Sequence, residues 1–376
     1  MESPEKQYNS ALRKGIKIFT ADSAIIPIVA IILGLICGAI VMIAGGYNPL
    51  VAYGSLFGKL FESPYDMGET IRAITPLIFT GLSVAFAFRT GLFNIGAEGQ
   101  FVMGMLGATL VGVKLDLPMI IHAPLAAIAG AVFGGIWAGI VGYLKAKRGV
   151  NEVISSIMLN WIGLYFANYV VGAALSEKGQ QKSEMIHESA SWSMTWLSEM
   201  MEHARMHAGT IVALLCVAVF YILLWKTKQG YELRAVGLNP DAAHYAGMNV
   251  GRTVVKSMFI AGAFAGLGGA FEVLGVFGYQ VISAASPGYG FDGIAVSLLG
   301  GNSPIGILLA AILFGGLTYG SAGMSFEADV PTEIVRIVIG SIIFFIASHG
   351  IVRAVIKPFS FRKGKGADGR KEAPRT

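Results

Sequence analysis

Long apolar runs separated by short polar stretches are the main pattern in this sequence. The run IIPIVAIILGLICGAIVMIAG at 25–45 reaches the roughly 20 residues that a helix needs to cross a bilayer. Hydropathy predicts about ten such segments, at 25–45, 71–90, 100–113, 118–141, 153–175, 209–226, 257–279, 291–301, 304–321 and 332–350. Two of them, 100–113 and 291–301, are too short to span alone at about 1.5 Å per residue. The pattern predicts an all-α polytopic membrane protein that includes short, broken helices.

Composition and charge support this class and give it an orientation. Hydrophobic residues make up 54% of the chain and charged residues 14%, against roughly 25% charged in soluble domains. We expect a cytoplasmic segment at 1–24, a transmembrane domain at 25–350 and a basic cytoplasmic tail at 351–376. Together with 142–152 and 226–256, the two terminal segments hold 20 of the 28 Lys and Arg residues. This positive-inside bias predicts cytoplasmic termini. The net charge of +5 follows from topology, so no nucleic-acid partner is expected.

Several other sequence patterns indicate close helix packing and do not fit a nucleotide-binding or metal site. The 50 glycines include small-xxx-small pairs such as Gly130/Gly134 and Gly262/Gly266, which allow helix backbones to approach in membranes. GAFAGLGGAF lies in a predicted helix with no preceding strand, so it does not fit a phosphate-binding loop. His203 and His207 have the i, i+4 spacing of a metal pair on a helix, but no carboxylate completes a ligand set. We expect two solvated histidines, no metal site and no cofactor.

The predicted coupling segment, 226–256, is too long for a simple connection between two spans. It contains LNPDAAHYAGMN, in which Asn239 followed by proline predicts an N-cap and a first-turn proline. A short helix should follow at about 240–247 and end at Gly247. Its small residues, Ala242 and Ala243, suit either an amphipathic surface helix or a helix that enters a groove on another protein.

The DAAxxxG element of this segment resembles the EAAxxxG element of ABC-transporter permeases, with aspartate in place of glutamate and without the IxLP continuation of other permeases. GLFNIGAEGQF, LRAVGLNPDAAHYAGMN and GFDGIAVSLLGGNSPIG are similar to permeases of simple-sugar and nucleoside importers, in the branched-chain amino acid/ribose group. The resemblance extends roughly from Pro49 to the last span. It implies a coupling helix that docks on a separate ATPase, formed by Asn239, Asp241, Ala242, Ala243 and Gly247.

The same resemblance implies further partners and a location. These are a second permease in a heterodimer, an extracytoplasmic substrate-binding lipoprotein or protein, and the lipids of a bacterial cell membrane. The basic tail is expected either to contact those lipids or to act as a plain stop-transfer segment. The solute would be a nucleoside or a simple sugar, and ATP hydrolysis would take place in the ATPase, so this chain would not be an enzyme.

Polar side chains in two glycine-rich stretches are the candidates for the substrate pathway. Asn94, Glu98 and Gln100 lie in NIGAEGQF, and Asp292 lies in GFDGIAV. Each stretch has a carboxylate, then glycine, then a short apolar run, which predicts repeated halves with broken helices at the pathway. Glu98 either binds substrate hydroxyls or accepts backbone N–H bonds at the start of the next helix, where the dipole favours an anion. Both roles are left open, with the second favoured.

Two other functional classes compete with an importer permease. An ion-coupled secondary transporter needs titratable residues within the membrane, and Glu98, Glu272 and Asp292 would serve; such a carrier has no use for a docking helix. A channel would need periodic pore-lining polar residues, which the sequence lacks. Glu272 and Arg336 are predicted to lie at similar depths and are candidates for an ion pair; the alternative is that each side chain snorkels separately.

Overall fold

The computed structural model describes residues 22–177, 179–348 and 351–352. Most of the predicted terminal segments, 1–24 and 351–376, therefore lies outside the described residues. The regular elements within the described ranges are helices, apart from two isolated β-bridges. The α-helices are α1 (Asp22–Ala44), α2 (Pro49–Lys59), α3 (Pro64–Arg89), α4 (Ala97–Lys114), α5 (Met119–Arg148), α6 (Glu152–Val170), α7 (Thr195–Met200), α8 (Gly209–Lys226), α9 (Lys228–Leu238), α10 (Pro240–Tyr245), α11 (Val250–Phe271), α12 (Tyr289–Leu299), α13 (Pro304–Glu327) and α14 (Thr332–Ala347).

Seven of the described helices are long and apolar enough to cross a membrane. They are Ile25–Ala44, Pro64–Arg89, Met119–Arg148, Glu152–Leu175, Gly209–Lys226, Val250–Phe277 and Pro304–Glu327, two of which continue through a turn of π-helix. The all-helical membrane class is confirmed, but the predicted number of about ten crossings is not. The other three predicted spans correspond to α4, α12 and α14. With 11 residues, α12 is about 16 Å long, roughly half of a bilayer core.

Local sequence signals set the starts of several helices. Ser63 caps α3 by accepting a hydrogen bond from the N–H of Asp66, and Pro64 occupies the first turn. Ser303 caps α13 in the same way, ahead of Pro304. Proline at this position costs no hydrogen bond because the first N–H groups of a helix have no partner within it. A Ser-Pro pair thus fixes the start of two spans.

Two compact units make up the chain. The first comprises Met1–Pro49 with Glu333–Thr376, and in its described part Gly34 of α1 lies against the backbone of Ile342 in α14. The second, Leu50–Thr332, contains α3 packed against α11, α12 and α13, and α4 packed against α5, α6 and α11. The candidate site described below lies within this second unit.

Glycines bring α4, α5 and α11 into direct backbone contact. A Cβ at Gly104 would meet the backbone of Gly266, and one at Gly134 would lie 2.5 Å from the carbonyl oxygen of Gly262. A Cβ at Gly266 would meet the backbone of Gly130 and would lie 3.0 Å from the Cα of Gly134. The predicted role of the spacings 130/134 and 262/266 in close packing is confirmed.

The segment 176–208 is packed onto the rest of the second unit; its residue Lys178 lies outside the described residues. The backbone N–H groups of Ile186 and His187 donate to Gly278 and Gly112, both at 2.9 Å. The Trp192 indole donates to the carbonyl oxygen of Ala123 at 2.8 Å. These bonds attach the segment to the ends of α4, α5 and the π-turn after α11.

Replacing Gly266 with alanine should therefore destabilise the protein. In an open helix the change would stabilise by about 0.5–1 kcal/mol, but here the new methyl would overlap backbone, and overpacking costs about 1–3 kcal/mol. We expect a lower melting temperature in detergent and lower membrane abundance. The matched control is Gly54→Ala in α2, where nothing lies within 4 Å of the added carbon. Equal melting temperatures for the two variants would contradict the packing described.

Candidate functional site

Asn94 and Gln100 are bonded to each other at the start of α4. The Asn94 amide donates to Gln100 Oε1 at 2.9 Å, and the Gln100 amide donates to Asn94 Oδ1 at 2.8 Å. Asn94 also donates to the Ser83 hydroxyl of α3 at 3.1 Å and accepts from the N–H of Gly96. Both side chains are at most 1% exposed. This reciprocal pairing satisfies two buried amides and fixes the turn that leads into α4.

Glu98 joins the starts of two helices, α4 and α12, from distant parts of the chain. Its carboxylate accepts from the N–H of Gly288 at 2.6 Å and from the N–H of Gly290 at 2.5 Å, both at the start of α12. The N-cap of α12 is Gly288, which has a φ of 95° and no side chain to serve as a cap. The Glu98 side chain, 1% exposed, supplies the missing acceptor with a charge that the helix dipole favours.

Asn160 of α6 holds the same turn from the other side and was not predicted. Its side-chain oxygen accepts from the N–H of Gly99 at 2.8 Å, and its amide donates to the carbonyl oxygen of Ile95 at 3.1 Å. The only sequence signal was an asparagine within an apolar span, which also contains Asn168. The start of α4 is thus held from α3, α6 and α12.

A chain of charged residues runs from the segment 176–208 to the start of α12. Arg205 donates from its backbone, Nε and Nη2 to the buried carboxylate of Glu69, at 2.9, 3.0 and 2.6 Å. Glu69 also accepts from Nε of Arg72 at 2.8 Å. The Arg72 guanidinium reaches Glu272 at 3.5 Å, and the Tyr289 hydroxyl donates to the same carboxylate oxygen at 3.2 Å. Sequence analysis offered Arg336 as a candidate partner for Glu272; the ion pair that the structure shows for Glu272 is with Arg72.

Asp292 is not brought into hydrogen-bonding contact with Asn94 or Gln100. It lies in the first turn of α12, is half-buried, and lines a cavity of about 220 Å³ between α3, α12 and α13. Other side chains in the wall are those of Arg72, Leu77, Tyr289, Thr318 and Tyr319. A second cavity of about 400 Å³, between α4, α6 and the segment 277–287, has a mainly apolar wall. The four predicted pathway residues therefore fall into two groups: Asn94, Glu98 and Gln100 are buried at the start of α4, and Asp292 lines a cavity.

The two histidines near residue 205 do not share a helix face. Residues 201–208 are not helical, and His203 is exposed with a φ of 66°, whereas His207 is 2% exposed. The expectation of two solvated histidines was wrong for His207, which is packed against Gly209, Phe271 and Gly275. Burial and the charge of Arg72 lower the pKa of His207 to about 4, so its ring is neutral at neutral pH.

The coupling segment has the predicted local structure. Asn239 caps α10 by accepting from the N–H of Ala242 at 3.0 Å, Pro240 is the first helical residue, and Gly247 follows with a φ of 81°. Ala242 is exposed, and Tyr245 is 91% exposed. The expectation that Ala243 lies on the docking surface was wrong: it is only 4% exposed and belongs to this chain's own packing.

The coupling segment is tied to the base of α3 through α9. A Cβ at Gly237 would overlap the backbone of Thr90 and Gly91. Arg89, the last residue of α3, donates to the carbonyl oxygens of Gly301 and Asn302 at 3.0 and 2.8 Å, in the turn between α12 and α13. Through these contacts, a displacement of α9 would act on α3, α12 and α13, the helices that line the 220 Å³ cavity.

Comparison with known proteins places the chain in a family. The model of the family described as "branched-chain amino acid transport system / permease component" matches residues 67–347. The chain belongs to this family. The resemblance to ABC-transporter permeases inferred from the sequence is confirmed. The chain is a multi-pass membrane permease and not an enzyme.

Three relatives align with this permease over most of both chains. The guanosine ABC transporter permease protein NupP of Bacillus subtilis is 48% identical over 92% of this chain and 98% of its own length. The nucleoside ABC transporter permease protein NupB of Lactococcus lactis is 41% identical over 88% and 93%. The glucose ABC transporter permease protein TsgB13 of Haloferax volcanii is 33% identical over 91% and 92%. The family assignment favours an ABC-transporter permease over the ion-coupled carrier that the intramembrane carboxylates had suggested.

Glu98→Gln should lower the stability of this permease. Glutamine keeps one oxygen acceptor but places an NH₂ group against the second helical N–H, and an unsatisfied buried donor costs about 1–3 kcal/mol. We expect a lower melting temperature and reduced membrane abundance. The control is Glu62→Gln, whose carboxylate is 53% exposed and pairs with Lys59 at 2.7 Å; a surface pair of this kind is worth about 0–1 kcal/mol. Unchanged stability in Glu98→Gln would contradict a structural role for this carboxylate.

Proposed function

We propose that this chain forms, with a second permease, the membrane path of a bacterial ABC importer for nucleosides. The observation that supports this substrate class is the ranking of the relatives by sequence identity to this chain over nearly their full length. Relatives named for guanosine and nucleosides are 48% and 41% identical, and one named for glucose is 33% identical. A simple sugar is the second candidate on the same ground.

Uptake by the purified complex tests the substrate class. Proteoliposomes would contain the permease pair, its ATPase and its extracytoplasmic binding protein, with radiolabelled guanosine, uridine, glucose and leucine offered in turn. We expect ATP-dependent uptake of the nucleosides alone, and full-rate uptake only when the binding protein is present. Glucose uptake without nucleoside uptake would overturn the proposal in favour of the sugar.

Asp292 is assigned to the substrate path, and Asn94, Glu98 and Gln100 to holding that path in shape. Support for this division is that Asp292 lines a cavity, whereas the other three are at most 1% exposed and bonded within the chain. A similar order of elements supports repeated halves. A helix that follows a glycine N-cap lies between two spans in each half, as α4 between α3 and α5 and as α12 between α11 and α13, and the starts of α4 and α12 meet at Glu98.

The coupling segment is assigned to ATPase docking and to the cytoplasmic side. Several observations support this. The helix α10 protrudes, Leu238 and Tyr245 are 88% and 91% exposed, and α9 is in backbone contact with the base of α3. An exposed large apolar side chain at each end of a short helix suits a protein partner. Asn239, Asp241, Ala242 and Gly247 remain in the docking element, with Tyr245 and Leu238 added and Ala243 moved to the supporting face.

Ala242→Arg should uncouple the permease from its ATPase without disturbing the membrane helices. Arginine is a good helix former, and position 242 is exposed. The substitution should therefore leave the helix intact and weaken only the binding of the ATPase. We expect normal membrane abundance, loss of ATPase co-purification and at least about tenfold lower uptake, which corresponds to about 1.4 kcal/mol. The control is Trp196→Ala in the segment 176–208, where the side chain is 63% exposed; it should retain the ATPase. Full co-purification by Ala242→Arg would disprove the docking assignment.

A further inference from the structure

The 220 Å³ cavity between α3, α12 and α13 has charged groups in its wall at membrane depth. Arg72 is eight residues from the start of α3 and Tyr319 eight residues from the end of α13, so each lies about 12 Å along its helix from that end. Charged side chains at such depths face a bundle interior or water, not lipid. Thr318 is exposed at the edge of the cavity. Because Arg72 and Asp292 both line it, the cavity is a wet groove and not a lipid-filled one.

Two tyrosine rings in this groove are held by buried carboxylates. The Tyr319 hydroxyl donates to Asp66 at 2.6 Å, and the Tyr289 hydroxyl donates to Glu272 at 3.2 Å. The Tyr289 ring also packs on Phe101, with 5.3 Å between ring centroids. Since both hydroxyls are already used, the tyrosines present aromatic surface to the groove in fixed orientations. Fixed aromatic surface suits a planar ring, because little conformational freedom is lost when the ring stacks.

The charges in the wall favour a neutral solute. The guanidinium of Arg72 is bonded to Glu69 at 2.8 Å and to Glu272 at 3.5 Å, so carboxylates behind the wall balance its charge. A solute carboxylate or phosphate would have to compete with both. The Asp292 carboxylate lines the groove as an acceptor, and two neighbouring hydroxyl groups can donate to the two oxygens of a carboxylate. Aromatic rings beside an acceptor for hydroxyls match a base joined to an uncharged sugar.

We propose that this groove, named the Tyr289–Tyr319 groove, is the subsite at which the permease contacts a nucleoside in transit. The base stacks on the tyrosine rings, and Asp292 accepts hydrogen bonds from the ribose hydroxyls. The inference rests on the proposed function and adds the location and the contacts. At about 220 Å³ the groove is smaller than the roughly 300–1,000 Å³ of complete ligand sites. It holds part of the nucleoside, and the facing permease completes the site.

Filling the groove from its exposed edge tests the location without altering buried packing. Thr318→Trp is compared with Leu309→Trp, at a position on the same helix that is 62% exposed and outside the groove. The measurement is guanosine uptake by the complete complex in proteoliposomes, together with membrane abundance and ATPase co-purification. We expect Thr318→Trp to lower uptake at least about tenfold at normal abundance, and Leu309→Trp to stay within about twofold of the wild type. Equal uptake by the two variants would overturn the proposal.

Two further variants test the contacts themselves. Tyr319→Leu should lower uptake about fivefold or more, the lower limit for losing one base–aromatic stack. Asp292→Asn should reduce the preference for guanosine over 2′-deoxyguanosine, because a site built for a hydroxyl discriminates against its absence. An unchanged preference in Asp292→Asn, or unchanged uptake by Tyr319→Leu, would refute the assigned contacts. A wild-type complex that imports no nucleoside would refute the proposed function and, with it, this inference.

Discussion

The carboxylate of Glu98 is the interaction on which the site depends. It accepts hydrogen bonds from N–H groups at the start of α12 that have no partner within that helix, whose own N-cap is a glycine. Glu98 lies in the first turn of α4, 190 residues away from Gly288. Unpaired N–H groups within a membrane cost several kcal/mol each. A short helix that begins inside the protein is therefore possible only where another part of the chain supplies acceptors. The helix that begins inside the protein and the buried carboxylate of Glu98 therefore depend on each other.

Around this junction, hydrogen bonds and ion pairs between buried polar groups hold helices in place. Asn94 and Gln100 satisfy each other, Asn160 bridges from α6, and Arg72 joins Glu69 to Glu272. Backbone contacts at glycines do the same for α4, α5 and α11. The second unit is thus rigid where its helices meet and open beside Asp292 and Tyr319. A permease needs both properties, because a path must change shape without the bundle coming apart.

The contacts at the other end of α3 explain how movement of the coupling segment can reach this groove. Gly237 in α9 touches the backbone at Gly91, and Arg89 binds the carbonyl oxygens of the turn before α13. The two helices α3 and α13 both line the groove. A displacement of α9 therefore reaches α3 and α13 through backbone contacts and charged hydrogen bonds. Such contacts deform less than side-chain packing does. This arrangement suits a protein whose energy comes from a separate ATPase.

The sequence by itself determined the membrane class, most spans, the cap at Asn239 and the family, because these follow from hydropathy, local capping and contiguous motifs. It also located the helix-breaking glycines. Only the tertiary structure decided which groups meet. Glu98 binds α12 and not its own helix, Arg72 replaces Arg336 as the partner of Glu272, and Ala243 and His207 are buried. Periodicity in an almost uniformly apolar helix does not say which face is inside, since lipid and protein core are equally apolar. The partner of a buried charge lies far along the chain, so helix packing alone determines it.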